Sequence, residues 1–144
     1  MPNDPALKIA DTFPFWTEER VRFGDTDRLG HVNNAIYGTY LETARVELMQ
    51  QLLRGPETYF VLARMSLDYL AEMKELGPIR IGTAITGIGR SSFTTGQGIF
   101  QGEMCSATGE GVVVLVDAET RRSTPLPEDV RAALEKLKPK NPGE

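Results

Sequence analysis

At 144 residues, 40% hydrophobic and 25% charged, the chain has room for one domain with a real core but not for two. Its net charge of −4 argues against nucleic acid as the main partner, because phosphate binding needs clustered Lys and Arg. No apolar run nears the roughly 20 residues of a membrane span, and the single cysteine, Cys105, excludes an internal disulfide or a multi-cysteine metal site. The N-terminal segment MPNDPALKIADTFPFW lacks the basic and apolar regions of a secretory signal, so the expected location is the cytoplasm, with no membrane partner.

In chain order, residues 1–14 are rich in Pro and Asp and read as an extended lead-in to a single domain spanning 15–138. From Trp16 to Phe23, WTEERVRF alternates with the period of a strand. Residues 24–32 hold Gly24, Asp25, Asp27 and Gly30, the composition of a turn. Ala35, Ile36, Tyr40, Ala44, Leu48, Leu52 and Leu53 then recur at helical spacing, with Asn33 or Asn34 as N-cap and Arg54-Gly55-Pro56 as the stop. That helix makes about five turns, roughly 30 Å at about 1.5 Å per residue. Arg45 and Glu47 read as a solvated or interface pair on it.

Residues 59–71 fit helix or strand, and the alternation of Tyr59, Val61, Ala63, Met65, Leu67 and Tyr69 selects strand. Pro78–Thr86, Phe93–Met104 and Gly111–Asp117 give three more. The glycine-rich fragments GIGRSS and GQGIFQG complete no nucleotide-binding fingerprint and read as bulges or turns. Residues 127–137 form a short helix with Pro127 near its start and two acids in the first turn, and 139–144 a frayed tail. The class is therefore α+β: an antiparallel sheet burying the apolar face of one long helix. Its edge strands and open face call for a second copy.

The chemistry is concentrated between Asp25 and Asn34, where two carboxylates, the only histidine and two asparagines directly precede the helix. The first N–H groups of a helix lack intrahelical partners and favour negative charge, and a nearby carboxylate can act as base or nucleophile. That pairing suits ester or thioester hydrolysis. A Ser-His-Asp triad would have to use His31, yet no G-x-S-x-G elbow exists, and no ligand spacing builds a metal site around it. Cys105 reads as a small half-buried side chain. Arg121–Arg122 and Lys136, Lys138 and Lys140 read as solvated surface, or as contacts for the phosphates of a nucleotide-bearing substrate such as coenzyme A.

This order of elements, together with DTDRLGHVNNAIYGTYLETARVE, closely resembles the hotdog-fold acyl-CoA thioesterases of the 4-hydroxybenzoyl-CoA thioesterase type. The likeness covers roughly Trp16 to the final helix. Its specificity lies in residues 22–47, and downstream only GRSSF and RRSTPLP look familiar. The resemblance implies a hotdog fold and hydrolysis of an acyl-CoA to free acid and CoA by a homodimer or homotetramer. It implies no bound metal and no cofactor, coenzyme A being part of the substrate. Asp27 is the implied catalytic carboxylate, nucleophile or general base, and the Asn34 N–H the implied donor to the thioester carbonyl, with Asn33 close by. The related acyl-ACP thioesterases have a similar turn ending in HVNN, with a working Asp, Asn and His. Asp27 and His31 match that arrangement, but Leu29 replaces the intervening Asn, so the full triad is not carried over.

Alternatives stand beside these roles. His31 is either catalytic or substrate-positioning, or it only hydrogen-bonds across the turn or a dimer interface. Asn33 reads first as a cap and second as a substrate contact. Ser91 and Ser92 either touch the carboxylate or line the acyl tunnel, or are ordinary edge-strand polar residues. Asp25 organises the turn, and Tyr37 and Tyr40 pack in the core or at the subunit interface. Glu42 and Glu47 rank below Asp27 as the acid. A non-catalytic acyl-CoA sensor using the same groove is the competing class. A hotdog dehydratase is disfavoured because His31 follows Asp27 too closely.

Overall fold

A computed structural model describes residues 3–140. The alternating segments form β1 (Phe15–Val21), β2 (Thr58–Tyr69), β3 (Gly77–Ile88), β4 (Ser92–Gln101) and β5 (Met104–Asp117). The periodic ones form α1 (Asn34–Gln50) and α2 (Glu128–Glu135). The strands make one antiparallel sheet in the order β1-β3-β4-β5-β2, leaving β1 and β2 as edges. A five-stranded antiparallel sheet against one long helix, with a short C-terminal helix, is the hotdog architecture that the resemblance implied. Among the described residues, no helix is long and apolar enough to cross a membrane.

α1 lays Tyr37, Tyr40, Leu41 and Ala44 against Val21, Ile79, Ile81, Ile99 and Ala107. Farther along, Leu48 and Leu52 join Ile85, Phe93, Val113 and Leu115, and α2 adds Val130 and Leu134 to the same cluster. The helix approaches the sheet closely at Gly109, where a Cβ would stand 2.6 Å from Leu41 Cδ1. A larger residue there would push the helix off the sheet.

Three sequence expectations change. The lead-in is not extended: Pro5–Lys8 and Ala10–Thr12 form short 3₁₀ turns that bury Leu7 and Phe13 beside Ala84 and Phe100. The second glycine fragment makes a turn only at its last residue, Gly102, and the rest is the interior of β4, where Gly98 leaves space for this segment: a Cβ would sit 2.7 Å from the Leu7 carbonyl oxygen. The last hairpin turns earlier than expected, at Gly102-Glu103, because Gly102 adopts φ +62° and lets Gln101 pair with Met104. β5 then runs unbroken through Thr108-Gly109-Glu110-Gly111. Most of the tail read as frayed, 141–144, lies outside the described residues, while the Lys140 N–H donates to the Thr12 carbonyl at 2.8 Å.

Candidate active site

The turn between β1 and α1 is closed by its own backbone. Thr26 and Val32 form an isolated antiparallel bridge. The Asp27 N–H donates to the His31 carbonyl at 3.0 Å, and the Gly30 N–H to the Asp27 carbonyl at 3.1 Å, with Gly30 at φ +84°. Two bonds anchor the turn: Val32 N–H to the Met73 carbonyl at 2.8 Å, and Asn33 N–H to the Asp25 carbonyl at 2.9 Å. Asn33 is the N-cap of α1, its side-chain oxygen accepting from the Ala35 N–H at 2.9 Å. No described residue accepts from the Asn34 N–H, the first of the helix.

The two carboxylates of the turn differ in surroundings. Asp25 Oδ2 accepts from the Arg22 N–H at 3.0 Å and from the Tyr40 hydroxyl at 2.6 Å. Among the described residues, Asp27 accepts only through Oδ1, from the Leu29 N–H at 2.9 Å. Its Oδ2 stands 3.9 Å from His31 Nδ1, and His31 Nε2 stands 3.7 Å from Glu72 Oε1, both beyond hydrogen-bond distance. The Asp27 side chain is 27% exposed, so water reaches it. Burial, then the Asp25 carboxylate, pushes the Tyr40 phenol well above the usual tyrosine range, and Tyr40 stays a donor. A cleft of about 170 Å³ lies beside the helix start, lined by Asn34, Tyr37, Tyr69, Leu70, Ala71 and Glu72.

One chain thus brings Asp27, His31, Asn33 and Asn34 together, and it does not bring Ser91 and Ser92 to them. Ser92 pairs with Val114 on β5, whereas Tyr69, whose hydroxyl donates to the Asn34 carbonyl at 2.9 Å, pairs with Ala107. Val114 and Ala107 are about 23 Å apart at about 3.3 Å per residue, so the serines occupy the far end of the sheet. Arg45 and Glu47 are not a pair. Arg45 is buried and donates to Gln97 Oε1 at 3.3 Å and to Met65 Sδ at 3.6 Å, its charge disfavoured by burial. Glu47 accepts from the Thr17 hydroxyl at 3.2 Å. Cys105 is half-buried as expected, and burial pushes its thiol up.

Sequence reasoning missed Glu72 and Tyr69 at the site and the tie from Tyr40 to Asp25. Glu72 and Tyr69 lie some forty residues from the turn in the sequence, and only strand pairing brings them to it. Tyr40 carried a signal. A helical side chain leans toward the N-terminus of its helix, so a core tyrosine two turns in can reach the preceding turn.

Fold and site together describe a hotdog domain with a carboxylate set at the N-terminus of its central helix. The chain belongs to the thioesterase-like superfamily, whose family model matches residues 21–134. It is 30% identical over 136 residues to the uncharacterized protein YsmA of Bacillus subtilis, covering 90% of this chain and 91% of that one. It is 31% identical over 120 residues to the acyl-CoA thioester hydrolase YbgC of Escherichia coli, covering 78% and 90% of the two chains. Among solved structures it is similar to a Thermus thermophilus thioesterase complexed with coenzyme A and zinc, with 34% identity and TM-score 0.76 over 88% of this chain and 96% of that one.

Proposed function

We propose that this protein hydrolyses acyl-CoA thioesters to free acid and coenzyme A, as a thioesterase of the 4-hydroxybenzoyl-CoA type. One observation carries the reading: Asp27 Oδ2 on the turn and the Asn34 N–H at the start of the helix that follows it are both left without a hydrogen bond from any described residue. Unspent groups of opposite polarity are what attack on a carbonyl needs. The name of the YbgC relative and the coenzyme A bound to the Thermus relative support the thioester and its carrier.

In this reading the thioester carbonyl oxygen accepts from the Asn34 N–H, which strengthens its hold as charge develops on that oxygen. Such a donor is worth about 2.7–4 kcal/mol of barrier. Asp27 removes the proton of an attacking water, or attacks the carbonyl itself to give an anhydride that water then opens. As base it adds about 10²–10⁴-fold. The C–S bond breaks, and the CoA sulfur leaves as thiolate and takes up a proton. His31 sits between Asp27 and Glu72 to orient the first and handle that proton, and Asn33 holds the donor in place by capping the helix. No cofactor takes part.

The working unit is a homodimer or a tetramer built from it. β2 is an open edge that exposes Tyr59, Val61, Leu62 and Tyr69. Antiparallel pairing of two β2 strands about their middle sets the Tyr69 end of one chain beside the Thr58 end of the other. The partner's copy of the hairpin carrying Arg90, Ser91 and Ser92, with Arg121–Arg122 nearby, then meets this chain's Asp27. Those residues would contact the CoA moiety. Leu62→Lys, a charge on the shared edge, is expected to give monomers by light scattering and to lose turnover with them.

A thiol-release assay over aliphatic and aromatic acyl-CoAs tests the function. Turnover by the native protein that disappears in Asp27→Asn supports it. Saturable acyl-CoA binding with no CoA release from any substrate would instead favour the sensor.

A further inference from the structure

Asp25 looks at first like a simple turn former, yet its carboxylate and carbonyl join three elements. Oδ2 takes the Arg22 N–H at the end of β1 and the Tyr40 hydroxyl from the second turn of α1. Its carbonyl takes the N–H of the helix cap, Asn33. Among the described residues, the Tyr40–Asp25 bond is the one hydrogen bond linking the segment Asp25–Leu29 to the body of α1. At 2.6 Å, with a charged acceptor, it belongs to the stronger class. The Tyr40 ring is 2% exposed and fixed in the core, so its hydroxyl is a rigid reference point for a turn that is otherwise largely exposed.

We propose that Tyr40, through Asp25, is a positioning residue that sets the Asp27 carboxylate against the Asn34 N–H. The inference deepens the thioesterase reading and rests on it. Asp27 lies two residues beyond Asp25, and Asn34 directly follows the Asn33 that Asp25 holds, so one residue sets the origin of both working groups. Without the phenol, the turn and the helix start would still be joined by backbone, but the angle between them would no longer be pinned to the helix axis. Misplacement of reacting groups by about 1 Å costs about 100-fold. The Tyr40 hydroxyl bonds to Asp25 and to neither working group, so the loss should fall on the chemical step rather than on substrate capture.

Tyr40→Phe keeps the buried ring and removes only the hydroxyl. Assayed well below its melting temperature, it is expected to lower kcat about 10- to 100-fold while KM moves less than about threefold. Asp25→Asn, which keeps a carbonyl acceptor, is expected to lose less kcat than Asp25→Ala. Amide exchange at Gly30 and Asn33 should speed up in Tyr40→Phe while the core strands remain protected. With turnover present, kcat decides: a value within about twofold of native, or a loss confined to KM, would overturn the inference. If the native protein releases thiol from no acyl-CoA, the thioesterase reading has failed. The exchange rates then decide alone, and unchanged rates at Gly30 and Asn33 would overturn the positioning claim.

Discussion

At its C-terminal end α1 sinks Leu48, with Leu52 of the turn that follows, into a cluster with Phe93, Val113, Leu126, Val130 and Leu134, nearly all of it closed to water. At its N-terminal end Asn34 and Ala35 are exposed, and what faces them is a turn of carboxylates, an imidazole and amides. The same helix of 17 residues, about 25 Å long, therefore carries two different kinds of structure. The apolar end is held by area removed from water, a force with no direction. The polar end is held by directional bonds from Asp25, Asn33 and Tyr40, and no described residue bonds to Asp27 Oδ2 or to the Asn34 N–H. In the proposed reading, stability and reactivity are separated along a single element.

Three perturbations sharpen that contrast, the largest first. Leu134→Ala opens a cavity at a fully buried position and is expected to cost about 2–5 kcal/mol in denaturant unfolding, without changing kcat per folded molecule. Asn33→Ala acts at the other end. Loss of the cap is expected to cost about 1 kcal/mol by the same measurement, yet to lower kcat as well, because the Asn34 donor loses its frame. The smallest effect is alkaline. The folded-state pKa of Tyr40 is raised, so its contribution to stability is fully present below the unfolded tyrosine value of about 10 and is lost as pH climbs through the higher folded value. Native stability should thus decline above about pH 10 more steeply than that of Tyr40→Phe, as denaturant titrations across that range would show.

Much of this was legible in the sequence, and for physical reasons. The period of two in β1 and the helical period of α1 reflect one buried face each, and the Asn33 cap follows from its own side chain. The alternation in β2 marks a strand but not a buried face: the register shifts between Leu62 and Arg64, Tyr59 and Val61 are exposed, and Phe60 packs against the core. What was hidden depended on long-range neighbours. Gly98 read as part of a bulge or turn and Gly109 fell outside the expected strands, yet both lie inside strands, where the Leu7 carbonyl and Leu41 fill the space a Cβ would take. Arg45 read as half of a solvated or interface pair with Glu47 because nothing local announces Gln97 and Met65 as its partners. The lead-in read as extended because Leu7 and Phe13 show no period, only a sheet face to cover. At the site, Asp27, His31, Asn33 and Asn34 lie within eight residues and were found together. Glu72 and Tyr69 reach it through β2 and the loop after it, and no local spacing marks them.

The division of labour along α1 is tested most directly by a crossed comparison, with CoA release and thermal unfolding measured on the native protein, Asp27→Asn and Leu134→Ala. The expected pattern is opposite losses: Asp27→Asn keeps its melting temperature and loses turnover, while Leu134→Ala melts earlier and keeps kcat. Turnover retained in Asp27→Asn, or a kcat loss in folded Leu134→Ala as large as that in Asp27→Asn, would contradict it.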